Sequence, residues 1–423
     1  MAPESDMSAD LILDASKRIA DHLLDVQRRV NGQMDSTQAS LLSDVRRQLG
    51  YPSAATVDLS DLVNTRIAGQ SIVVTPEAVA TVLPLSAASA TTTRLGRRAM
   101  ADIIQSKDDR LAVIAGPCSI HDPVGTLRYA DFIGQMRDRH ADDLEIVMRA
   151  YTEKPRTEVD WKGFVYDPYL DGSNRISVGL IATRMLMCRI TAMGVPVAAE
   201  PLNALTPQYV DGLVTYNGVG ARNVTDQTAR ERVSGFSSVI GFKNSPEGSI
   251  EAAIQAVVTA RAPHVFLGVD GHGMTAQLST TGNETGHVIL RGDKHGPNYS
   301  AAHIADTTYQ LTKRGLPGAV VVDASHGNSQ KNHLRQIDVV HDLAGQIAAG
   351  EAAIRGVMLE SNLVAGRQNL DQQNPGALEY GKSVTDACVD LEMTAAMLDE
   401  LAEAARARRG ADVTDEAVAM QTG

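Results

Sequence analysis

From Leu111 to Glu360 the sequence repeats one pattern, a short and nearly continuous apolar run followed by a longer stretch of helical periodicity. No other feature constrains the fold as strongly. Runs that are apolar throughout suit parallel strands covered by helices on both faces, whereas a strand with one wet face alternates. The runs lie at 111–116, 144–150, 195–200, 217–222, 238–243, 287–291, 319–324 and 355–360. That many units in roughly 250 residues predict a closed (β/α)8 TIM barrel. A further pair, 265–269 and 276–280, predicts an inserted β-hairpin. A doubly wound open sheet is the competing architecture, and no glycine-rich dinucleotide fingerprint follows the first run to support it.

The barrel is therefore assigned to 111–400, with 401–423 as a C-terminal tail. Ahead of it stand an N-terminal helical extension, 1–56, and an arm with one helix, 57–110. Apolar residues at Leu11, Ile12, Ala15, Ile19, Leu23, Val26 and Val30 give one helical face that ends at Asn31-Gly32. A second helix is expected over roughly 36–49, strand residues at Ser71–Val74 and a helix over 92–105. Two short amphipathic helices cannot form a core alone, so the extension must dock on the main body or on another subunit.

The chain has 423 residues and a net charge of −12. An acidic chain has no excess of cations to meet a phosphate backbone, so no nucleic-acid partner is expected. Three cysteines cannot build a disulfide framework, and no secretory leader or apolar run long enough for a bilayer is visible. A cytoplasmic location and no membrane association follow.

Against that acidic background the stretch Met148–Gly163 stands out, with Arg149, Lys154 and Arg156 followed at once by Thr157. A strand that runs into fixed cations is suited to an anion: arginine offers a planar fork, lysine a point charge, threonine a hydroxyl. Pro155 stiffens the loop that carries them. The bland alternative is a solvated basic turn. The other strand ends weigh against it. In order they carry Cys118, Arg149, Glu200, Arg222, Lys243, Arg291, His326 and Glu360. Barrel active sites sit where strand ends converge. The cations Arg149, Arg222, Lys243 and Arg291 suit a small ligand bearing phosphate and carboxylate. Cys118, His326 and Glu360, with Asp386 in GKSVTDAC, combine sulfur, nitrogen and oxygen donors suited to a transition metal. Taken singly, Cys118 reads as a buried apolar residue and Asp386 as a helix cap.

These stretches resemble a known family. AGPCSIHDP at 115–123, MRAYTEKPRT at 148–157, WKGFVYDPYLDGS at 161–173, TPQY at 206–209, GAR at 220–222, GFKN at 241–244, ILRG at 289–292, SHGNSQK at 325–331 and YGKSVTDAC at 380–388 are similar, in collinear order, to the type I DAHP synthases (3-deoxy-7-phosphoheptulonate synthases). The resemblance implies a metal-dependent condensation of phosphoenolpyruvate with erythrose 4-phosphate at the head of the shikimate pathway. By resemblance, Cys118, His326, Glu360 and Asp386 hold a divalent metal (Mn2+, Co2+, Fe2+ or Zn2+). Arg149, the Ala221 backbone N–H, Arg222, Lys243 and Arg291 hold phosphoenolpyruvate, and Lys154, Pro155, Arg156 and Thr157 hold erythrose 4-phosphate, with Asp386 at its hydroxyl. Lys154 or a metal-bound water is the expected proton donor, and Glu200 the residue expected to orient the attacking water. An aromatic amino acid effector is expected near TPQY and Ser237, in a homodimer or homotetramer that can recruit a chorismate mutase partner.

Several positions depart from the family. Asp160 follows KPRT in place of a small residue, Asp270-Gly271 stand in place of a Thr-Lys pair, Asp293 replaces a glycine beside Arg291, and Arg232 replaces an apolar residue near the effector segment. The acids Asp270 and Asp293 raise one alternative, a paralogue using a different aldose phosphate; a non-catalytic regulatory subunit is another, against which the four intact metal ligands argue.

Overall fold

The computed structural model describes residues 9–30 and 61–422. Eight parallel strands close into a barrel: β1 (Leu111–Gly116), β2 (Leu144–Arg149), β3 (Val197–Ala199), β4 (Val214–Val219), β5 (Val239–Lys243), β8 (His287–Leu290), β9 (Val320–Asp323) and β10 (Ile354–Glu360). Each pairs with the next, and β10 closes on β1. The hairpin is present as antiparallel β6 (Val265–Val269) and β7 (Thr275–Ser279). The TIM barrel expected from the strand rhythm is the fold observed.

The strand period of two divides the apolar residues cleanly. Val113, Ile146, Val197, Ile240, Val288, Val320 and Val357 join the shell beneath the covering helices. Their neighbours Ile114, Val147, Ala198, Val239, Ile289, Val321 and Met358 form a separate inner cluster. Met100, Ile103 and Ile104, from the end of helix Ala87–Ile104, belong to that inner cluster and plug one end of the barrel. One further step of two from the inner residues reaches Arg149, Glu200, Arg291, Asp323 and Glu360. The same alternation that fills the barrel therefore aims these side chains into its other mouth.

Five details differ from the sequence expectation. The fourth strand covers Val214–Val219 and not 217–222, because the apolar β-formers precede the glycines of NGVGAR. Arg222 consequently sits on a turn beyond the strand. Ser71–Val74 pairs with no strand among the described residues: the Val74 carbonyl accepts the Tyr209 hydroxyl and its N–H reaches Ser177 Oγ. The arm also contains a helix, Pro76–Val82, capped by Thr75, and helix Ala87–Ile104 starts at its Ser86 cap, earlier than expected. The helix Leu391–Thr422 runs through the division drawn at 400.

The extension helix Ala9–Val30 lays Ile12, Leu13 and Ala20 into the main hydrophobic shell, against helices Ile176–Ala192 and Pro123–Arg139. Docking on the main body, one of the two alternatives, is what occurs for this helix. The helix expected over 36–49 lies outside the described residues. Among the described residues no helix is long and apolar enough to cross a membrane.

Candidate active site

The barrel mouth holds a continuous chain of charged contacts. Lys243 Nζ lies 2.9 Å from Asp323 Oδ2, and His326 Nδ1 meets the same oxygen at 2.9 Å. His326 Nε2 is 3.8 Å from Glu360 Oε1, and Arg149 Nη2 donates to that oxygen at 3.0 Å. Arg149, Asp323 and Glu360 are essentially inaccessible, at 0–1% exposure. So many buried charges are costly unless each meets a partner. Most do, but Arg149 Nη1 is buried without one among the described residues. The Arg149 guanidinium also stacks 4.2 Å over the Tyr151 ring. Burial alone would raise the Asp323 carboxyl, but His326 and Lys243 hold it well below the usual carboxylate range.

Local geometry explains how these residues meet. A Cβ on Gly116 would lie 2.9 Å from the Arg149 carbonyl oxygen, so only glycine lets the end of β1 pass this close to β2. His326 follows β9 with φ of 55°, a left-handed conformation uncommon for a residue with a Cβ. Ser325 Oγ holds its Nδ1 at 2.7 Å, which leaves Nε2 toward Glu360. The segment carrying Asp386 is stitched to the strand ends: Val389 N–H donates to Glu360 O at 3.0 Å, and Thr385 Oγ1 meets Ser119 Oγ at 2.8 Å.

That stitching brings Cys118, Glu360 and Asp386 together, with one donor atom of each within 4.8 Å of the others. The Cys118 thiol donates to Asp386 Oδ2 at 3.6 Å, and its sulfur accepts the Asp386 N–H at 3.4 Å. Lys154 Nζ donates to Cys118 O at 2.9 Å and to its Sγ at 3.2 Å. Burial, with Glu360 next in weight, pushes the thiol up to about 12. A cation binding there must displace that proton, as metal binding to cysteine does. Burial opposes charge on Lys154, but Cys118, Glu200 and Glu360 outweigh it and hold the ammonium above its ordinary value. The donor set fits a divalent transition metal: one sulfur and two carboxylates converge, and the His326 imidazole stands beside Glu360.

The remaining expected residues lie on neighbouring strand ends and loops. Arg222 Nη2 donates to Thr157 Oγ1 at 2.8 Å, joining the two groups of expected anion contacts. Arg291 is positioned through its backbone, whose N–H donates to Asn244 Oδ1 at 2.8 Å. Glu200 is buried, and a Cβ on Gly220 would come within 2.3 Å of its Oε1. Ala221 lies on the turn after β4, and Pro155, Arg156 and Thr157 on the loop after β2.

Sequence reasoning missed Asp323, the carboxylate that ties Lys243 to His326. The alternation Val321 to Asp323 was the signal. It also missed the asparagine lattice beneath Arg291, in which Asn298 Nδ2 donates to Asn244 Oδ1 and the Asn298 N–H donates to Asn328 Oδ1. No spacing in the sequence marks it.

Two departures read differently in the structure. Asp293 Oδ1 accepts the N–H groups of His295 and Gly296, and Asp270 Oδ1 accepts that of Met274. Each carboxylate caps its own turn. Gly271 and His272, at the hairpin tip, bind Glu77 of the arm.

A cavity of about 170 Å3 adjoins the site, lined by Glu153, Glu200, Pro207, Gln208, Asp211 and Phe236. Burial raises the Glu153 carboxyl to about 7, against hydrogen bonds from Thr206 and the Asn203 N–H. The folded protein therefore holds this proton more tightly than the unfolded chain. Stability falls as pH rises from the ordinary value of 4.5 to about 7 and is level beyond. Glu153→Gln is expected to exceed the parent by about 2–3 kcal/mol at pH 8 and to lose that advantage near pH 4, read by urea unfolding.

Comparison with known proteins shows the family. The model of the DAHP synthetase I family matches residues 78–399. The chain belongs to the DAHP synthetase I family. A phospho-2-dehydro-3-deoxyheptonate aldolase of Escherichia coli, Phe-sensitive, is 48% identical over 335 residues, covering 79% of this chain and 95% of the relative. A tyrosine-inhibited one of Schizosaccharomyces pombe is 43% identical over 361 residues, 85% of this chain and 97% of the relative. The structure of a phospho-2-dehydro-3-deoxyheptonate aldolase from Francisella tularensis superposes with a TM-score of 0.79 at 46% identity, covering 81% of this chain and 99% of that one. Membership makes the chain an enzyme of this DAHP synthase family.

Proposed function

We propose that the chain condenses phosphoenolpyruvate with erythrose 4-phosphate and water, giving 3-deoxy-D-arabino-heptulosonate 7-phosphate and phosphate, the first step of the shikimate pathway. The observation that carries this reading is the buried Arg149, whose Nη1 has no partner among the described residues, at the head of a cationic mouth beside the cluster of Cys118, Glu360 and Asp386. A buried guanidinium with an idle donor is a receptor for an anion.

In this reading Arg149, Lys243, Arg291, Arg222 and the Ala221 N–H neutralise the phosphate and carboxylate of phosphoenolpyruvate. Lys154, Pro155, Arg156 and Thr157 receive the aldose phosphate, with Asp386 at a hydroxyl. Holding two anions that would otherwise repel, aligned for attack, is the larger part of the rate enhancement. Cys118, His326, Glu360 and Asp386 would hold a divalent metal, Mn2+, Co2+, Fe2+ or Zn2+, which when bound supplies Lewis acidity toward the aldehyde oxygen. C3 of phosphoenolpyruvate attacks the aldehyde carbon, and the carbonyl electron pair moves to oxygen. Lys154, held charged, gives that oxygen a proton. Glu200 orients the water that adds to the electron-poor C2; one proton of that water restores Lys154, and the other leaves with the phosphate as the C–O bond breaks to give the ketone.

Names of relatives that are Phe-sensitive and tyrosine-inhibited support an aromatic amino acid effector, for which the cavity at Pro207 and Gln208 is the assigned place. Three free thiols support a cytoplasmic setting.

The test is incubation of purified protein with phosphoenolpyruvate, Mn2+ and a panel of aldose phosphates, following loss of the enol and the product mass. Rapid consumption with erythrose 4-phosphate is expected. Consumption only with another aldose, or with none, overturns the reading.

A further inference from the structure

The loop after β2 carries an acid that faces one of its own cations. Its ends are tied by the Lys154 N–H donating to the Lys162 carbonyl at 2.9 Å. Within it, Asp160 Oδ2 pairs with Arg156 Nη2, and Asp160 Oδ1 accepts the Trp161 N–H at 2.7 Å. Trp161 is buried, and its Nε1 donates to the Asp167 carbonyl at 3.0 Å. The carboxylate is thus anchored to the fixed base of the loop, while Arg156 reaches back to it. A cavity of about 320 Å3, lined by Lys154, Arg156, Glu158, Asp160, Lys162 and Tyr166, lies alongside.

We propose that Asp160 is a specificity-determining residue: an internal substitute for the substrate's terminal phosphate, occupying Arg156 in the resting enzyme and giving way when the aldose phosphate binds. This rests on the reading that the loop receives that phosphate. A guanidinium presents its fork to carboxylate and phosphate alike, and two anions on one fork repel. The phosphate must therefore release Asp160 first, and apparent affinity falls by the fraction of protein in which Arg156 is occupied. The pair is partly exposed, with side chains 26% and 49% accessible, so the penalty is modest. In return the guanidinium is held in place before substrate arrives.

Asp160→Asn tests this, because asparagine keeps an oxygen for the Trp161 N–H and loses only the charge. The expected result is a fall in KM for erythrose 4-phosphate of about three- to fivefold, with kcat and KM for phosphoenolpyruvate unchanged. Inorganic phosphate competing with the aldose phosphate should inhibit the variant more strongly by the same factor. An unchanged or raised KM for erythrose 4-phosphate in an active, normally melting variant overturns the inference while leaving the activity reading intact. A parent protein that consumes no erythrose 4-phosphate overturns the activity reading itself.

Discussion

Replacing Arg149 with alanine is expected to cost about 3–5 kcal/mol of stability and all measurable binding of phosphoenolpyruvate. Arg149 and Glu360 are a buried pair at 3.0 Å, and deleting Arg149 leaves the buried Glu360 carboxylate with only the His326 imidazole, 3.8 Å away, as an ion-pair partner among the described residues. A domain stable by about 5–15 kcal/mol survives such a loss only narrowly. Arg149→Lys is the companion variant. It keeps the charge and so the fold, but replaces a fork that donates to Glu360 and stacks on Tyr151 with a point charge. Calorimetric titration should find phosphoenolpyruvate bound at least about tenfold more weakly, the equivalent of one lost charge-assisted hydrogen bond. Unchanged binding in the lysine variant would remove Arg149 from the anion site.

Replacing Lys154 with methionine should reduce turnover by about 10²–10⁴-fold, the range spanned by a lost proton donor, and leave phosphoenolpyruvate binding within about twofold. Lys154 touches the carbonyl oxygen and sulfur of Cys118, and its stem runs past Tyr151, with Nζ 5.9 Å from the ring. Methionine fills the same channel without the charge. Stopped-flow binding and steady-state rates separate the two effects. A variant with normal turnover would exclude the proton role, and one that fails to bind phosphoenolpyruvate would move Lys154 into the other half of the site.

The barrel was legible because both its layers are apolar. In β2, Ile146 faces outward to the helices and Val147 inward to the barrel core, so consecutive residues are apolar and the run reads as a buried strand. The cations and acids at the strand ends were legible for the same reason, since an apolar run that stops at a charge is conspicuous. Asp323 escaped because it reads as the close of such a run, and its worth depends on Lys243 and His326, which the fold brings to it. Asn244, Asn298 and Asn328 escaped because an asparagine lattice has no periodicity. Asp293 was conspicuous for the wrong reason: its charge is spent on two backbone N–H groups, a choice made by the turn and invisible in the residue type. The arm's helix Pro76–Val82 was missed although Thr75-Pro76-Glu77 marks it, a cap followed by a proline and an acid in the first turn.

The central claim is that Cys118, His326, Glu360 and Asp386 hold one metal ion beside the anion pocket. Titrating the protein with Co2+ and recording its absorption spectrum tests it directly, because a thiolate bound to cobalt gives a charge-transfer band in the near ultraviolet. The account predicts that band, saturating at one equivalent, and its loss in Cys118→Ser. Cobalt binding without the band, or a band that survives the substitution, would contradict it.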